Sequence, residues 1–404
     1  MTDKRKNIII LTYQPLNSFI SKRFGIKTNS VTFDKKYWYL LPIIDSRLDN
    51  KYKDDGHRNT KDENFLEISS IQSLIKEIKK LKKNFYYINF SSGVILTAFI
   101  EVFFKIKGGK KIEVRQGFTL GNVDGYLKNI LELMKFDFLF AVKKIIISLC
   151  SLFKSKIIKV LSVKPEIVFC SNQLYYDKSK KDFNCFKINS FDYNTYLEKK
   201  DHSNNKNFNK IIFLDSAIES SFEFNLLHAS KNYFDKKLYW QSLLKIFEKI
   251  EKQDGGNQIQ IAAHMRRNSF DLPINRKFIF ERTPELIKES KLVICHNSLS
   301  LQWAILFQKP IILINIENFN YLAMRNNREI NNLSKELDLE KINVDRNFVP
   351  DVKDISLKKI LNRKINFEKY DLFTKRYINF NELEKKPEHF MSKVLSTLEN
   401  FNHS

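Results

Sequence analysis

Four polar side chains stand together in the turn at residues 296–300, and their types suit the binding of a phosphate. His296, Asn297, Ser298 and Ser300 follow the apolar run 292–295, which is typical of a strand, and precede an apolar helix. Backbone N–H groups and the helix dipole favour an anion at the carboxyl end of a parallel strand and at a helix N-terminus. A helix start without a ligand is the alternative, and the density of polar groups favours phosphate binding.

A second polar cluster follows the apolar run 259–263 and holds His264, Arg266 and Arg267. An arginine offers a planar fork that binds two phosphate oxygens, and a histidine can donate to a phosphate or to a leaving-group oxygen. A histidine at a strand end often has a structural role only, so both interpretations of His264 stay open.

An acid ends the apolar run 211–214. Asp215 stands at the carboxyl end of the first predicted strand in the second half of the chain. In that position a carboxylate can take a proton from a hydroxyl nucleophile. The alternative is that Asp215 caps the loop that follows it.

A helix start is predicted at residues 283–285. Thr283 is placed to cap the helix, Pro284 fits the first helical position, and the charge of Glu285 suits the positive first turn.

Two series of strands and helices are needed to position these residues. Apolar strands alternate with helices through residues 1–197 and again through 210–365, which predicts an α/β protein with two parallel-sheet domains. The polar run 198–209 is predicted to be a linker between them. Residues 366–404 are predicted to form a C-terminal helical segment.

The composition excludes several classes of protein. The 404 residues include 69 Lys and Arg against 46 Asp and Glu, a net charge of +23, and 43% are apolar, enough for a buried core. The many Lys, Asn, Ile and Phe residues are typical of A/T-rich codons, and no nucleic-acid-binding motif accompanies them, so no nucleic-acid partner is expected. Four dispersed cysteines predict neither a disulfide scaffold nor a structural zinc site.

Residues 141–164 contain six lysines and no acid, interleaved with apolar residues. This composition suits a helix lying on an anionic membrane surface. An amphipathic domain helix with solvated lysines is the alternative. No apolar stretch is long enough to span a bilayer and no export signal opens the chain, so we expect a cytoplasmic protein, at the inner face of the membrane if 141–164 binds lipid.

With these residues the chain resembles the GT-B glycosyltransferases, in which two Rossmann-like domains face each other across a cleft. The resemblance rests on 283–287 (TPELI), 292–298 (LVICHNS) and 309–312 (KPII). Together they are similar to the donor-binding half of bacterial sialyltransferase-like and other capsule or lipopolysaccharide transferases. In those enzymes an acid acts as base, a histidine contacts the nucleotide and a serine pair holds the phosphate.

The resemblance implies that Asp215 deprotonates an acceptor hydroxyl and that His264 contacts the nucleotide or the leaving phosphate. The donor-binding residues that it implies are Arg266, Arg267, Thr283, Glu285, His296, Asn297, Ser298 and Ser300. No Asp-x-Asp triplet stands at a predicted strand end, so we expect transfer without a metal ion or cofactor. The C-terminal segment is expected to cross back to the first domain.

The implied function is transfer of a sugar from a nucleotide-sugar, such as a sialic-acid-like sugar from a CMP donor, to a hydroxyl of a cell-surface glycan or lipid-linked glycan precursor. Two alternatives remain open. One is a nucleotide-sugar epimerase of the same architecture, and the other is a non-catalytic binding protein in envelope assembly.

Overall fold

A computed structural model describes most of the chain. The described residues are 6–13, 33–46, 49, 64–91, 94–116, 138–200, 209–218, 235–264, 274–316, 321–345, 347–353, 356–380 and 390–403. Within them the chain forms two separate parallel sheets with helices on their faces.

The first sheet has the order β3-β2-β1-β4-β5-β6-β7, and every neighbouring pair is parallel. Its strands are β1 (Lys6–Thr12), β2 (Phe33–Tyr39), β3 (Phe65–Glu67), β4 (Tyr86–Asn89), β5 (Lys110–Arg115), β6 (Ile167–Cys170) and β7 (Asn184–Lys187). Continuous apolar runs such as 8–11 are completely buried, because a parallel sheet is covered on both faces.

In the part of the first domain that the structure describes, six helices lie between or after the strands. They are α1 (Leu41–Ile44), α2 (Ile71–Lys80), α3 (Ile95–Ile106), α4 (Phe138–Leu161), α5 (Gln173–Ser179) and α6 (Phe191–Lys200). Helices α2 and α3 share one apolar core on the same face of the sheet, through side chains such as Leu74 and Phe104. Helix α4 packs against α3.

The second sheet has the order β10-β9-β8-β11-β12-β13, again parallel throughout. Its strands are β8 (Lys210–Leu214), β9 (Gln260–Ala262), β10 (Phe278–Ile279), β11 (Ser290–Cys295), β12 (Ile311–Ile316) and β13 (Glu340–Val344). The accompanying helices are α7 (Lys236–Gln253), α8 (Thr283–Glu289), α9 (Leu301–Leu306), α10 (Tyr321–Leu337) and α11 (Leu357–Asn362). Apolar cores cover both faces of this sheet.

The chain ends with α12 (Phe367–Phe373), a π-helical turn (Thr374–Ile378) and α13 (Phe390–His403). Tyr370 and Phe373 belong to a core of the second sheet, whereas Met391 and Leu398 are completely buried against the first sheet. The C-terminal segment therefore crosses back to the first domain, as predicted.

The connection between the sheets departs from a purely flexible linker. Helix α6 continues to Lys200, so residues 198–200 are helical, and 201–208 lie outside the described residues. The side chain of Lys288 on α8 donates to the carbonyl oxygens of Lys199 and Lys200. The end of α6 is thus fixed to the second domain.

The lysine-rich segment 141–164 is helical as far as Leu161, within α4. Among the helices of the described ranges, none is both long enough and apolar enough to cross a membrane.

Candidate functional site

The carboxyl edge of the second sheet brings Asp215, His264 and His296 together. Leu214 at the end of β8 pairs with Cys295 on one side and with Ala262 on the other. The residues that follow these strand ends therefore lie next to one another. Parallel strands place their carboxyl ends at one edge, where ligands of open α/β sheets bind.

Asp215 is buried, and backbone amides hold its carboxylate. Oδ1 accepts the N–H of Ala217 at 2.9 Å and Oδ2 accepts the N–H of His264 at 3.2 Å. Ala217 has a φ of 45°, a left-handed conformation that the hydrogen bond from its N–H to Asp215 Oδ1 helps to fix. This geometry is that of the loop cap considered as the alternative, and the role of Asp215 as base stays a prediction.

His296 lies in the layer beneath the polar turn, with 1% of its surface exposed. Its Nδ1 is 2.9 Å from the carbonyl oxygen of Ile314, and its Nε2 is 3.0 Å from the hydroxyl of Tyr239. A carbonyl only accepts, so Nδ1 carries the proton and Nε2 accepts from Tyr239 in the neutral ring.

Burial lowers the pKa of His296 to about 4, although the Ile314 carbonyl and the charge of Asp215 act in the opposite direction. The neutral His296 ring therefore stabilises the start of the turn through its hydrogen bonds to Tyr239 and Ile314. Direct donation from His296 to a ligand would require one of these two hydrogen bonds to break.

The serine hydroxyls of the turn are half-buried. Ser298 Oγ accepts the backbone N–H of Ser300 at 3.3 Å, and Ser300 makes no side-chain cap to its helix. Within the described residues neither hydroxyl donates a hydrogen bond to the protein. Both O–H groups are therefore available to a phosphate oxygen. Beside them, the Asn297 amide donates to Glu329 Oε2 on α10.

The helix that follows contributes less to an anion site than its sequence predicts. Helix α9 has only six residues, and the amides of Leu301 and Trp303 donate to the carbonyls of Ser298 and Ser300 at 3.0 and 3.1 Å. These N–H groups are used within the turn, so the serine side chains, more than the helix dipole, carry the phosphate prediction.

Gln302 places a buried amide in the first turn of α9. Its exposed fraction is 1%, and neither its Oε1 nor its Nε2 has a hydrogen-bond partner in the described structure. An unpaired buried amide is costly, and natural proteins retain such groups mainly where a ligand or a function needs them.

Thr283 and Glu285 lie on another helix, α8. Thr283 is the first helical residue and Arg282 stands at the cap position, so the prediction that Thr283 caps the helix is wrong by one residue. Glu285 forms an ion pair with Lys199 of α6 at 2.6 Å, which connects the domains instead of joining the 296–300 turn. Arg266 and Arg267 lie outside the described residues.

Sequence reasoning missed three residues of this site, namely Tyr239, Gln302 and Glu329. Tyr239 and Glu329 stand on helices distant in sequence and reach the site by tertiary packing. Gln302 follows Ser300 by two residues on α9, and no local motif marks it. Among the described residues, no group of three His, Cys, Asp or Glu side chains could hold a metal ion.

The sequence matches no protein-family model, and no curated protein matches it significantly. Solved structures do resemble it. The wall teichoic acid polymerase TagF, as an H444N variant soaked with CDPG, is 12% identical with a TM-score of 0.50 over 99% of this chain and 91% of that one. The chain has the GT-B fold. At this identity the likeness extends to the fold alone.

Two further similar structures have lower scores. The Methanocaldococcus jannaschii UDP-GlcNAc 2-epimerase in complex with UDP-GlcNAc and UDP is 13% identical, with a TM-score of 0.45 over 98% of this chain and 100% of that one. Spinosyn forosaminyltransferase is 10% identical, with a TM-score of 0.45 and the same two coverages.

Proposed function

We propose that this protein is a nucleotide-sugar-dependent glycosyltransferase. The observation that carries the proposal is the pair of half-buried serine hydroxyls, Ser298 and Ser300, at the carboxyl end of β11. They stand at the sheet edge that binds ligands in doubly wound proteins. The likeness to TagF, whose structure was soaked with CDPG, supports a nucleotide-linked donor.

In this proposal the two hydroxyls donate to phosphate oxygens of the nucleotide-sugar. Gln302, whose amide has no partner among the described residues, follows Ser300 by two positions in the chain. Arg266 and Arg267 offset the charge that develops on the leaving phosphate, so no metal ion is required. His264 contacts the nucleotide or the leaving group. Closure of the two domains excludes water and limits hydrolysis of the donor.

The acceptor base is assigned to Asp215 as part of the same proposal. Two backbone N–H groups already donate to its carboxylate oxygens, so the side chain has a structural role in the loop. An acid of the first domain is therefore the competing assignment. The acceptor is a hydroxyl of a cell-surface glycan or lipid-linked precursor, and a CMP-linked sialic-acid-like sugar is one donor to test.

The test has two stages. Thermal-shift measurements with CDP, CMP, UDP and GDP identify the nucleotide, since a ligand that binds only the folded state raises the unfolding temperature. The matching nucleotide-sugar is then incubated with and without acceptor glycans. Sugar transfer with nucleotide release supports the proposal. Formation of an epimerised donor in the absence of acceptor would instead identify the protein as a nucleotide-sugar epimerase. A folded protein that binds none of the four nucleotides would overturn both.

A further inference from the structure

Three neighbouring helices of the first domain expose apolar side chains to solvent. Helices α2 and α3 pack through one core on the same face of the first sheet, and α4 packs against α3. We call these three helices the outer helix layer. Its exposed apolar residues are Ile71 and Ile75 on α2, Phe99, Phe103 and Ile106 on α3, and Leu149, Leu152, Phe153 and Val160 on α4.

The exposure is regular along each helix. Phe99, Phe103 and Ile106 follow one another at helical spacing, so they form a single outward stripe on α3, where Ile106 is 75% exposed. On α4, Phe153 is 68% exposed and Val160 is 85% exposed. Exposed apolar groups of this number on adjacent elements mark an interaction surface.

The outer helix layer has a large excess of positive charge. The three helices contain nine lysines and two glutamates. Glu77 forms an ion pair with Lys80 at 2.5 Å, and the buried Glu101 forms one with Lys111 at 2.8 Å. Lys105, Lys154, Lys156 and Lys159 are exposed, and the first two are close in sequence to Phe103 and Phe153. A surface that combines solvated lysines with aromatic and aliphatic groups is complementary to an anionic bilayer.

We propose that the outer helix layer docks this protein on an anionic membrane surface, with Phe99, Phe103 and Phe153 entering the interface and the lysines contacting lipid phosphates. In an α/β sheet the helices run antiparallel to the strands, so α2 and α3 begin at the carboxyl edge of the first sheet. When the protein docks on this layer, the carboxyl edge of its first sheet lies next to the bilayer, where a lipid-linked acceptor would be presented.

Flotation of the full chain tests the proposal with vesicles of phosphatidylcholine, alone or mixed with phosphatidylglycerol. We expect binding to the mixed vesicles only. Each basic residue near such a surface contributes about fivefold to binding, so the combined variant Lys105→Glu, Lys154→Glu and Lys159→Glu should bind about 100-fold more weakly. The combined variant Phe99→Ser, Phe103→Ser and Phe153→Ser should also lose flotation, because the apolar residues are needed for insertion.

A matched control variant carries Lys237→Glu, Lys245→Glu and Lys252→Glu, which reverse the charge of three exposed lysines on α7 of the second domain. It changes the net charge equally and should float like the unmodified chain. Equal loss in the control would show that bulk charge alone drives binding and would overturn the proposal. So would unchanged flotation of both test variants.

Sedimentation equilibrium distinguishes a second copy of the chain as the occupant. The unmodified chain could be a dimer that the phenylalanine substitutions dissociate, with neither protein binding vesicles. That result would show that the outer helix layer is a subunit interface and would overturn the membrane proposal. Unfolding temperatures of every variant confirm that the surface changes leave the fold intact. Vesicle binding needs no nucleotide, so its failure leaves the proposed transferase activity standing, and the reverse also holds.

Discussion

The backbone N–H of His264 donates to Oδ2 of Asp215 at 3.2 Å, so the two residues predicted to act on the substrate are joined by one hydrogen bond. The bond connects the ends of β8 and β9, whose last residues Leu214 and Ala262 pair in the sheet. A carboxylate in this position fixes the loop that follows each strand, whatever its role toward the acceptor.

Replacing Asp215 by Ala should lower the free energy of unfolding by about 2 to 4 kcal/mol, because two amides lose their acceptor in a buried site. Asp215→Asn retains one acceptor oxygen and should cost less. Denaturant titration measures both. An Asn variant that is stable and binds nucleotide but transfers no sugar would identify Asp215 as the base, whereas an active one would assign that role to another acid.

The pH dependence of stability should carry a contribution from His296. Burial lowers its pKa from 6.5 to about 4, so the unfolded chain binds a proton that the folded chain excludes. This stability is fully present above pH 6.5 and is lost as the pH falls toward 4, by about 3 kcal/mol in all. His296→Gln should be less stable at pH 7, but its free energy of unfolding should lack this decrease between pH 6.5 and 4. Parallel slopes in the two proteins would contradict the assignment.

The fold and the site differ in how much of them local sequence shows. Strand and helix periodicity is a short-range property, so the succession 283–315 and the return of the C-terminal segment are predicted from the sequence. Helix ends are less certain. The apolar helix predicted after the 296–300 turn begins only at Leu301, because the amides of Leu301 and Trp303 donate to carbonyl oxygens of that turn.

Side-chain partners distant in sequence are decided by packing. The ring of His296 meets Tyr239, which lies 57 residues earlier, and nothing near either residue indicates the pair. The exposure of Phe103 is also invisible in sequence, since an apolar stripe on a helix ordinarily predicts a buried face.

Ser298→Ala and Ser300→Ala should each weaken nucleotide binding about 10-fold or more, because a hydrogen bond to a charged phosphate contributes about 1.5 to 3 kcal/mol. Stability should change little in Ser300→Ala and fall slightly in Ser298→Ala, because Ser298 Oγ accepts the backbone N–H of Ser300 at 3.3 Å. Isothermal titration with the nucleotide found in the thermal-shift screen measures the effect. Ser396→Ala, an exposed serine on α13, is the control and should bind normally.

Asn379 connects the returning chain to the first domain. Its Oδ1 accepts the N–H of Ser190 and its Nδ2 donates to Asn189 Oδ1, both at 3.1 Å in buried surroundings. Asn379→Ala leaves these groups unpaired and should cost about 2 to 3 kcal/mol. If the substitution accelerates amide exchange more in α13 than in α7, the lost stability lies at the domain connection. An equal acceleration in both helices would argue against a local role of Asn379.

Gln302→Leu should stabilise the ligand-free protein by about 1 to 2 kcal/mol, because it removes a buried amide that has no partner in the described structure. If the amide serves the donor, the same change should weaken nucleotide binding by about 10-fold, so that stability and affinity move in opposite directions. Leu306→Ala in the same helix is the comparison variant. Its loss of packing should lower stability, so it should not combine a more stable protein with weaker nucleotide binding. A Gln302→Leu protein with unchanged affinity would remove the amide from the proposed site.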